Sequence, residues 1–271
     1  MKLAFSNIAW RAEEESQAVV ALSEHGIKYV ELAPTKYWND PTIAPDDEAA
    51  ERVDWWKQHG LAVVAFQSML FLRPDLKIFE SEENREQTLA YMKRFLVLAG
   101  KMGASRLVFG SPKNRQLGKM DKDEAMGIAI DFFRELGAEA ESNGVMLCIE
   151  PNAPQYACDF VTTAKEGSDL VRAINSPGIG LHLDTACMQL AGDDIERSIR
   201  NSIDILEHFH ISAPMLETVG PDSGIDYESI LQLLKDLEYD KVVSIEMKPS
   251  EGDNVERVRK TAVFITDLLS N

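Results

Sequence analysis

Short runs rich in β-branched and aromatic residues alternate with longer amphipathic stretches from one end of this 271-residue chain to the other. That is the pattern of repeated βα units. Eight strand candidates follow in order: Leu3 to Ile8, Tyr29 to Leu32, Ala62 to Phe66, Arg106 to Phe109, Met146 to Glu150, Gly180 to Asp184, His208 to Ile211 and Val242 to Glu246. Eight helices fall between and after them. Asn7 and Glu246 are 239 residues apart across seven repeats, about 34 each, which is the size of a βα unit in a barrel. Acidic first turns at Pro45-Asp46-Asp47-Glu48 and Ser81-Glu82-Glu83 mark helix starts, and Gly26, Gly60, Gly103 and Gly144 sit where helices stop. No Ser/Gly-rich or Pro-rich linker divides the chain. The pattern therefore predicts an α/β fold of one domain over residues 1–271, a (β/α)8 barrel. A doubly wound open sheet uses the same alternation, but no glycine-rich dinucleotide motif or phosphate-cradling loop occurs.

Composition narrows the partners. With 28 basic and 45 acidic side chains the formal charge is −17, which repels phosphate backbones and anionic headgroups. Nucleic acid and membrane partners are not expected, and no segment approaches the ~20 apolar residues that span a bilayer. The apolar start Leu3 to Trp10 is short for a signal segment and runs into Arg11 and Glu13 to Glu15, so a cytoplasmic protein is expected. Cys148, Cys158 and Cys187 are odd in number and lack paired metal-type spacing, which argues against a disulfide framework or a zinc ribbon.

In a barrel the side chains of each strand alternate between the interior and the helix layer, and active sites lie at the C-terminal strand ends. Strands five to eight end Cys148-Ile149-Glu150, His182-Leu183-Asp184, His208-Phe209-His210 and Ser244-Ile245-Glu246. Glu150, Asp184, His210 and Glu246 are separated by 34, 26 and 36 residues, one βα unit each, so they share one height on the rim. Three carboxylates that close would repel, and at least one would have its pKa pushed up, unless a cation sat between them. Three oxygen donors and one imidazole suit one hard or borderline divalent ion per chain, Mn²⁺ foremost, with Mg²⁺, Co²⁺ or Zn²⁺ as other occupants. His182 and His208, deeper in their strands, read as packed core histidines.

These same strings resemble the sugar isomerases and sugar phosphate epimerases of the xylose isomerase-like TIM barrel superfamily, over nearly the whole chain. The resemblance is carried by Leu147-Cys-Ile-Glu150-Pro151-Asn152, Leu183-Asp184-Thr185, His208-Phe-His210-Ile-Ser212, Ser244-Ile-Glu246-Met247 and, after strand four, Phe109-Gly-Ser-Pro-Lys113-Asn-Arg115. It implies that Glu150, Asp184, His210 and Glu246 bind one divalent metal, and that Glu150 and Glu246 also face the substrate as catalytic acid and base. It further implies a small sugar or sugar phosphate substrate and, as is common in the family, a homodimer. The chain departs from the ketohexose 3-epimerases at three places. Cys187 stands where they carry a histidine, Tyr156 where they carry a second glutamate, and Glu217 in a region where they use an arginine.

A metal that chelates the carbonyl and adjacent hydroxyl of an α-hydroxy ketone stabilises an enediolate, so that a carboxylate can remove the intervening proton. Return of a proton to the opposite face of the same carbon is epimerisation; return to the adjacent carbon is isomerisation. With a leaving group at the β position the same geometry would eliminate water, so a sugar-acid dehydratase remains open, as does a sugar-binding barrel without turnover. AP endonucleases share Asp184-Thr185 but use three zinc ions on many histidines, and this chain has only five.

Lys113 and Arg115, in the loop after strand four, are candidates to pair with a phosphate or carboxylate on the substrate. Gln67 and Lys248 are candidates for its hydroxyls, and Trp10, Phe71 and Tyr156 for an apolar wall over the sugar. Cys187 reads as a small apolar filler near the metal.

Overall fold

The computed structural model describes residues 1–270. Eight strands, all parallel, close into a barrel in chain order: β1 (Lys2–Ser6), β2 (Tyr29–Leu32), β3 (Ala62–Phe66), β4 (Arg106–Phe109), β5 (Met146–Ile149), β6 (Ile179–Asp184), β7 (Leu206–Ser212) and β8 (Val242–Glu246), with β8 pairing back onto β1. These strands match the predicted runs to within two residues at every end. Gly26, Gly60, Gly103 and Gly144 all follow helices in the left-handed region, at φ of 73°, 79°, 79° and 67°, where a side chain would be strained.

The helices are α1 (Glu15–Glu24), α2 (Asp46–Gln58), α3 (Glu82–Met102), α4 (Lys122–Ser142), α5 (Ala164–Ile174), α6 (Thr185–Ala191), α7 (Ile195–Ser202), α8 (Tyr227–Asp236) and α9 (Asn254–Ser270). Where the alternation predicts one helix after strand six, two occur. Gly192, at φ 76°, ends α6, and Asp194 then caps α7 by accepting the Arg197 amide. The short α6 begins immediately at the strand end, because Asp184 is both the last residue of β6 and the N-cap of that helix.

Strand alternation builds two cores. Phe5, Phe66, Phe109, Ile149, Leu183, Phe209 and Ile245 are fully or almost fully buried among the apolar faces of the helices. Inside the barrel the floor is a small separate cluster of Ala4, Val64 and Val242 with Tyr29 against it. Above that floor the interior becomes polar: Glu31, His182, His208, His210 and Ser244 are all buried. Register fixes their neighbours, with His182 beside His208, Asp184 beside His210, and Ser212 beside Glu246. Among the described residues no helix is long and apolar enough to cross a membrane.

Candidate active site

The ends of β5, β6, β7 and β8 each contribute one polar side chain to a common centre. Glu150 follows the last residue of β5, and its carboxylate occupies space that Gly110, just past β4, leaves open. Asp184 is fixed twice: Oδ1 accepts the Cys187 amide at 2.6 Å, and Oδ2 accepts the Ser212 hydroxyl at 2.5 Å. Ser212 is itself held by an exchange of hydrogen bonds with Thr185, whose hydroxyl accepts the Ser212 amide and donates to its carbonyl, both at 2.8 Å. His210 turns Nε2 toward Glu31 Oε2 at 2.9 Å, which leaves Nδ1 facing Glu246 Oε2 at 3.4 Å and Asp184 Oδ2 at 4.0 Å. That Nδ1 is completely buried and has no hydrogen-bond partner.

The electrostatics follow from crowding acids in a dry place. Burial, with Asp184 and Glu246 alongside, pushes the Glu150 carboxyl up to about 8. Asp184 is raised by burial and by Glu246. Burial opposes charge on His210, yet Glu31 and Glu246 hold its pKa well above the ordinary imidazole value. Glu31 shows the converse: burial would raise it, but His210 and His208 keep it down at about 2. This is the repulsion that the sequence pattern anticipated. The residues fit a divalent cation by their own chemistry, since one orphaned imidazole nitrogen and several carboxylate oxygens converge where a positive charge would relieve them. A ligating atom from each of Glu150, His182, Asp184 and His210 lies within 4.8 Å of the others, a geometry that could hold a metal ion.

The centre opens into a cavity of about 210 Å³. Gln67, Asn152, Tyr156, Cys187 and Leu216 line it together with Glu150, Asp184 and Glu246. A larger groove of about 650 Å³ runs over α7 and α8 in the helix layer, and among the described residues no convergent donor set opens into it. The chemistry therefore points to the smaller cavity.

The predicted residues fall into three groups. Glu150, Asp184, His210 and Glu246 come together as described. Gln67 and Tyr156 also reach the cavity: Gln67 donates to Ser6 Oγ at 2.5 Å, and the Tyr156 hydroxyl accepts the Met215 amide at 3.0 Å. The three basic candidates do not line it. Arg115 is 1% exposed, and its Nη2 donates to the Glu150 carbonyl at 2.6 Å and to Asn152 Oδ1 at 2.8 Å. The guanidinium thus ties the loop after β4 to the end of β5, and its expected role of pairing with a substrate anion is corrected to that of an internal clamp. Lys113 lends its carbonyl to Lys77, and Lys248 pairs with Glu217 at 2.9 Å on the outer surface. Trp10 is buried, whereas Phe71 is three-quarters exposed.

Sequence reasoning missed Glu31. Its signal was present, because Tyr29-Val30-Glu31-Leu32 places an acid at an inward position of a strand that is otherwise apolar or aromatic. The period-two reading simply has to be applied to β2 as well as to β5 through β8.

A sequence model of the family described as xylose isomerase-like TIM barrel matches residues 19–268. Among curated proteins, the chain is 27% identical over 140 residues to a D-psicose 3-epimerase of Ruminiclostridium cellulolyticum, a match that spans 50% of this chain and 47% of that protein, about half of each. It is 21% identical over 243 residues to an L-ribulose 3-epimerase of Methylomonas sp., spanning 89% of this chain and 81% of the relative. A solved structure of the IOLI protein with a bound zinc atom has the same fold, at a TM-score of 0.78 and 20% identity over 100% of this chain and 98% of that one.

Proposed function

The chain belongs to the xylose isomerase-like TIM barrel family, and from that premise we propose that it is a divalent-metal-dependent sugar epimerase or isomerase that moves a proton beside the carbonyl of an uncharged keto sugar. The observation that carries this reading is the pairing of Glu150 and Glu246, two carboxylates from β5 and β8 that line one cavity together with Asp184. The relatives named as psicose and ribulose 3-epimerases support it, as does the convergence of ligating atoms from Glu150, Asp184 and His210.

Glu150, Asp184, His210 and Glu246 would hold the cation, which when bound supplies electrophilic stabilisation of negative charge on the substrate oxygens. The remaining work belongs to the chain. Glu150 or Glu246 takes the proton from the carbon between carbonyl and hydroxyl, and the other glutamate returns one; return to the opposite face of that carbon is epimerisation. Gln67, Asn152 and Tyr156 supply amide and hydroxyl groups that orient sugar hydroxyls, and Leu216 with Cys187 makes that wall partly apolar.

The same lining argues for a neutral substrate. A phosphate or carboxylate in this cavity would meet three acids and no lysine or arginine side chain. A panel of free ketoses that includes psicose and ribulose, each incubated with protein and Mn²⁺ or Co²⁺ and followed by chromatography, tests the reading. Conversion of a ketose to its epimer or aldose supports it. Turnover of sugar phosphates alone would contradict the neutral-substrate part.

A further inference from the structure

The Arg115 guanidinium carries donors and no acceptor, so it sets the polarity of the groups it touches. Its Nη2 donates to Asn152 Oδ1 at 2.8 Å and to the Glu150 carbonyl at 2.6 Å. An amide nitrogen in place of Oδ1 would set donor against donor, so the oxygen of Asn152 is the atom turned toward Arg115. Its amide nitrogen, Nδ2, is thereby turned toward Cys187, whose Sγ stands 3.7 Å away. Asn152 and Cys187 both line the cavity. Sulfur is a weak acceptor, which leaves the N–H groups of Asn152 with bonding capacity to spare.

Gln67, in the lining of the same cavity, is set in the opposite sense. Its Nε2 donates to Ser6 Oγ at 2.5 Å and lies 3.4 Å from Glu31 Oε2, a carboxylate that accepts. Oε1 is the other end of that amide, where it accepts the Ser68 hydroxyl at 3.2 Å and keeps a second lone pair. Ser68 also lines the cavity. Two amides of one cavity thus differ in polarity, Asn152 presenting a donor and Gln67 an acceptor. The distinction matters because Glu150, Asp184 and Glu246, the acids of the same lining, accept when ionised and cannot satisfy a lone pair on a sugar oxygen.

We propose that Asn152 is a specificity-determining residue that donates its amide N–H to a carbonyl or hydroxyl oxygen of the sugar, and that Arg115 is the positioning residue that holds the amide in that sense. The inference rests on the sugar epimerase or isomerase reading above and adds the polarity the site demands of its substrate. The sugar offers an oxygen with a free lone pair on the Asn152 side and a hydroxyl hydrogen on the Gln67 side.

Two substitutions at one position separate the donor from the structural tie. Asn152→Asp keeps an oxygen for Arg115 but has no N–H, whereas Asn152→Leu removes both. With psicose or ribulose and Mn²⁺ or Co²⁺, both variants should lose at least ~10-fold in kcat/KM. In urea unfolding Asn152→Leu alone should lose stability, because the carboxylate of the other variant still accepts from Arg115. Full activity in Asn152→Leu would assign the loss in Asn152→Asp to its added charge, and full activity in Asn152→Asp would reduce Asn152 to a structural tie. Either result overturns the inference and leaves the reading above standing, whereas no conversion of any ketose by the unaltered protein overturns both. Should Asn152→Leu not fold by circular dichroism, Asn152→Ala carries the neutral arm. The role of Arg115 is read from a double-mutant cycle: the combined loss in Arg115→Met with Asn152→Leu should be smaller than the product of the two single losses. A full product would overturn the role given to Arg115.

Discussion

The Glu150 carboxylate lies where a side chain on Gly110 would begin: a Cβ built on Gly110 would stand 2.2 Å from Glu150 Oε2 and 3.3 Å from Asn152 Oδ1. Replacing this glycine by alanine should therefore displace the carboxylate while leaving the backbone unstrained, since Gly110 is not among the positive-φ residues. A misplacement of about 1 Å in a reacting group costs on the order of 10²-fold in rate. Gly110→Ala should lose about that much kcat, with a melting temperature close to that of the unaltered protein. Full activity in this variant would mean that Glu150 does not act from the position seen.

The internal clamp gives a different signature. Removing Arg115 leaves the Glu150 carbonyl and Asn152 Oδ1 without their shared donor and empties the space of a buried side chain. Arg115→Met should cost about 3 kcal/mol of stability in urea unfolding. If Arg115 instead met a substrate anion, the same change would leave stability nearly intact and raise KM.

The raised acids make cation binding pH-dependent. With Glu150 at about 8, the metal-free site holds a proton at neutral pH that a bound cation must expel. Because His210 is raised as well, affinity should rise steeply with pH through about pH 8, and calorimetry in buffers of different ionisation enthalpy should detect released protons. The sign for stability is the reverse. A carboxyl whose folded pKa exceeds its ordinary 4.5 contributes stability below that value, which is lost as pH climbs through about 8. The metal-free protein should therefore melt lower at pH 9 than at pH 6, and the loaded protein should show little of that difference. An affinity that does not change between pH 6 and 8 would contradict the crowded-acid account.

Much of this was legible in the residues, for a physical reason. A barrel strand is buried on both sides, so its apolar run is short and bounded, and the last inward-facing polar residue at its C-terminal end marks the rim. That rule places Glu150, Asp184, His210 and Glu246. It fails for Glu31, because β2 buries its acid below the rim, where the only sequence trace is one charge in an apolar stretch. It fails for Arg115 as well. A basic residue in a rim loop reads the same whether it points into the cavity or back under the loop, and only the positions of the Glu150 carbonyl and Asn152 decide. The split of the sixth helix turned on Asp184 serving as strand end and helix cap together, a double use that strand periodicity does not encode.

The central claim is that Glu150 and Glu246 move the proton, and solvent deuterium exchange into a ketose substrate tests it most directly. In D₂O with Mn²⁺ or Co²⁺, the unaltered protein should place deuterium on the carbon beside the carbonyl, read by NMR. Glu150→Gln and Glu246→Gln keep an oxygen donor and the side-chain volume but lose the base, so turnover should fall by at least ~10² in each. Exchange from one face should survive in one of the two variants if the enzyme is an epimerase working from both faces. Wild-type exchange and turnover in both variants would contradict the account and remove the two glutamates from the chemistry.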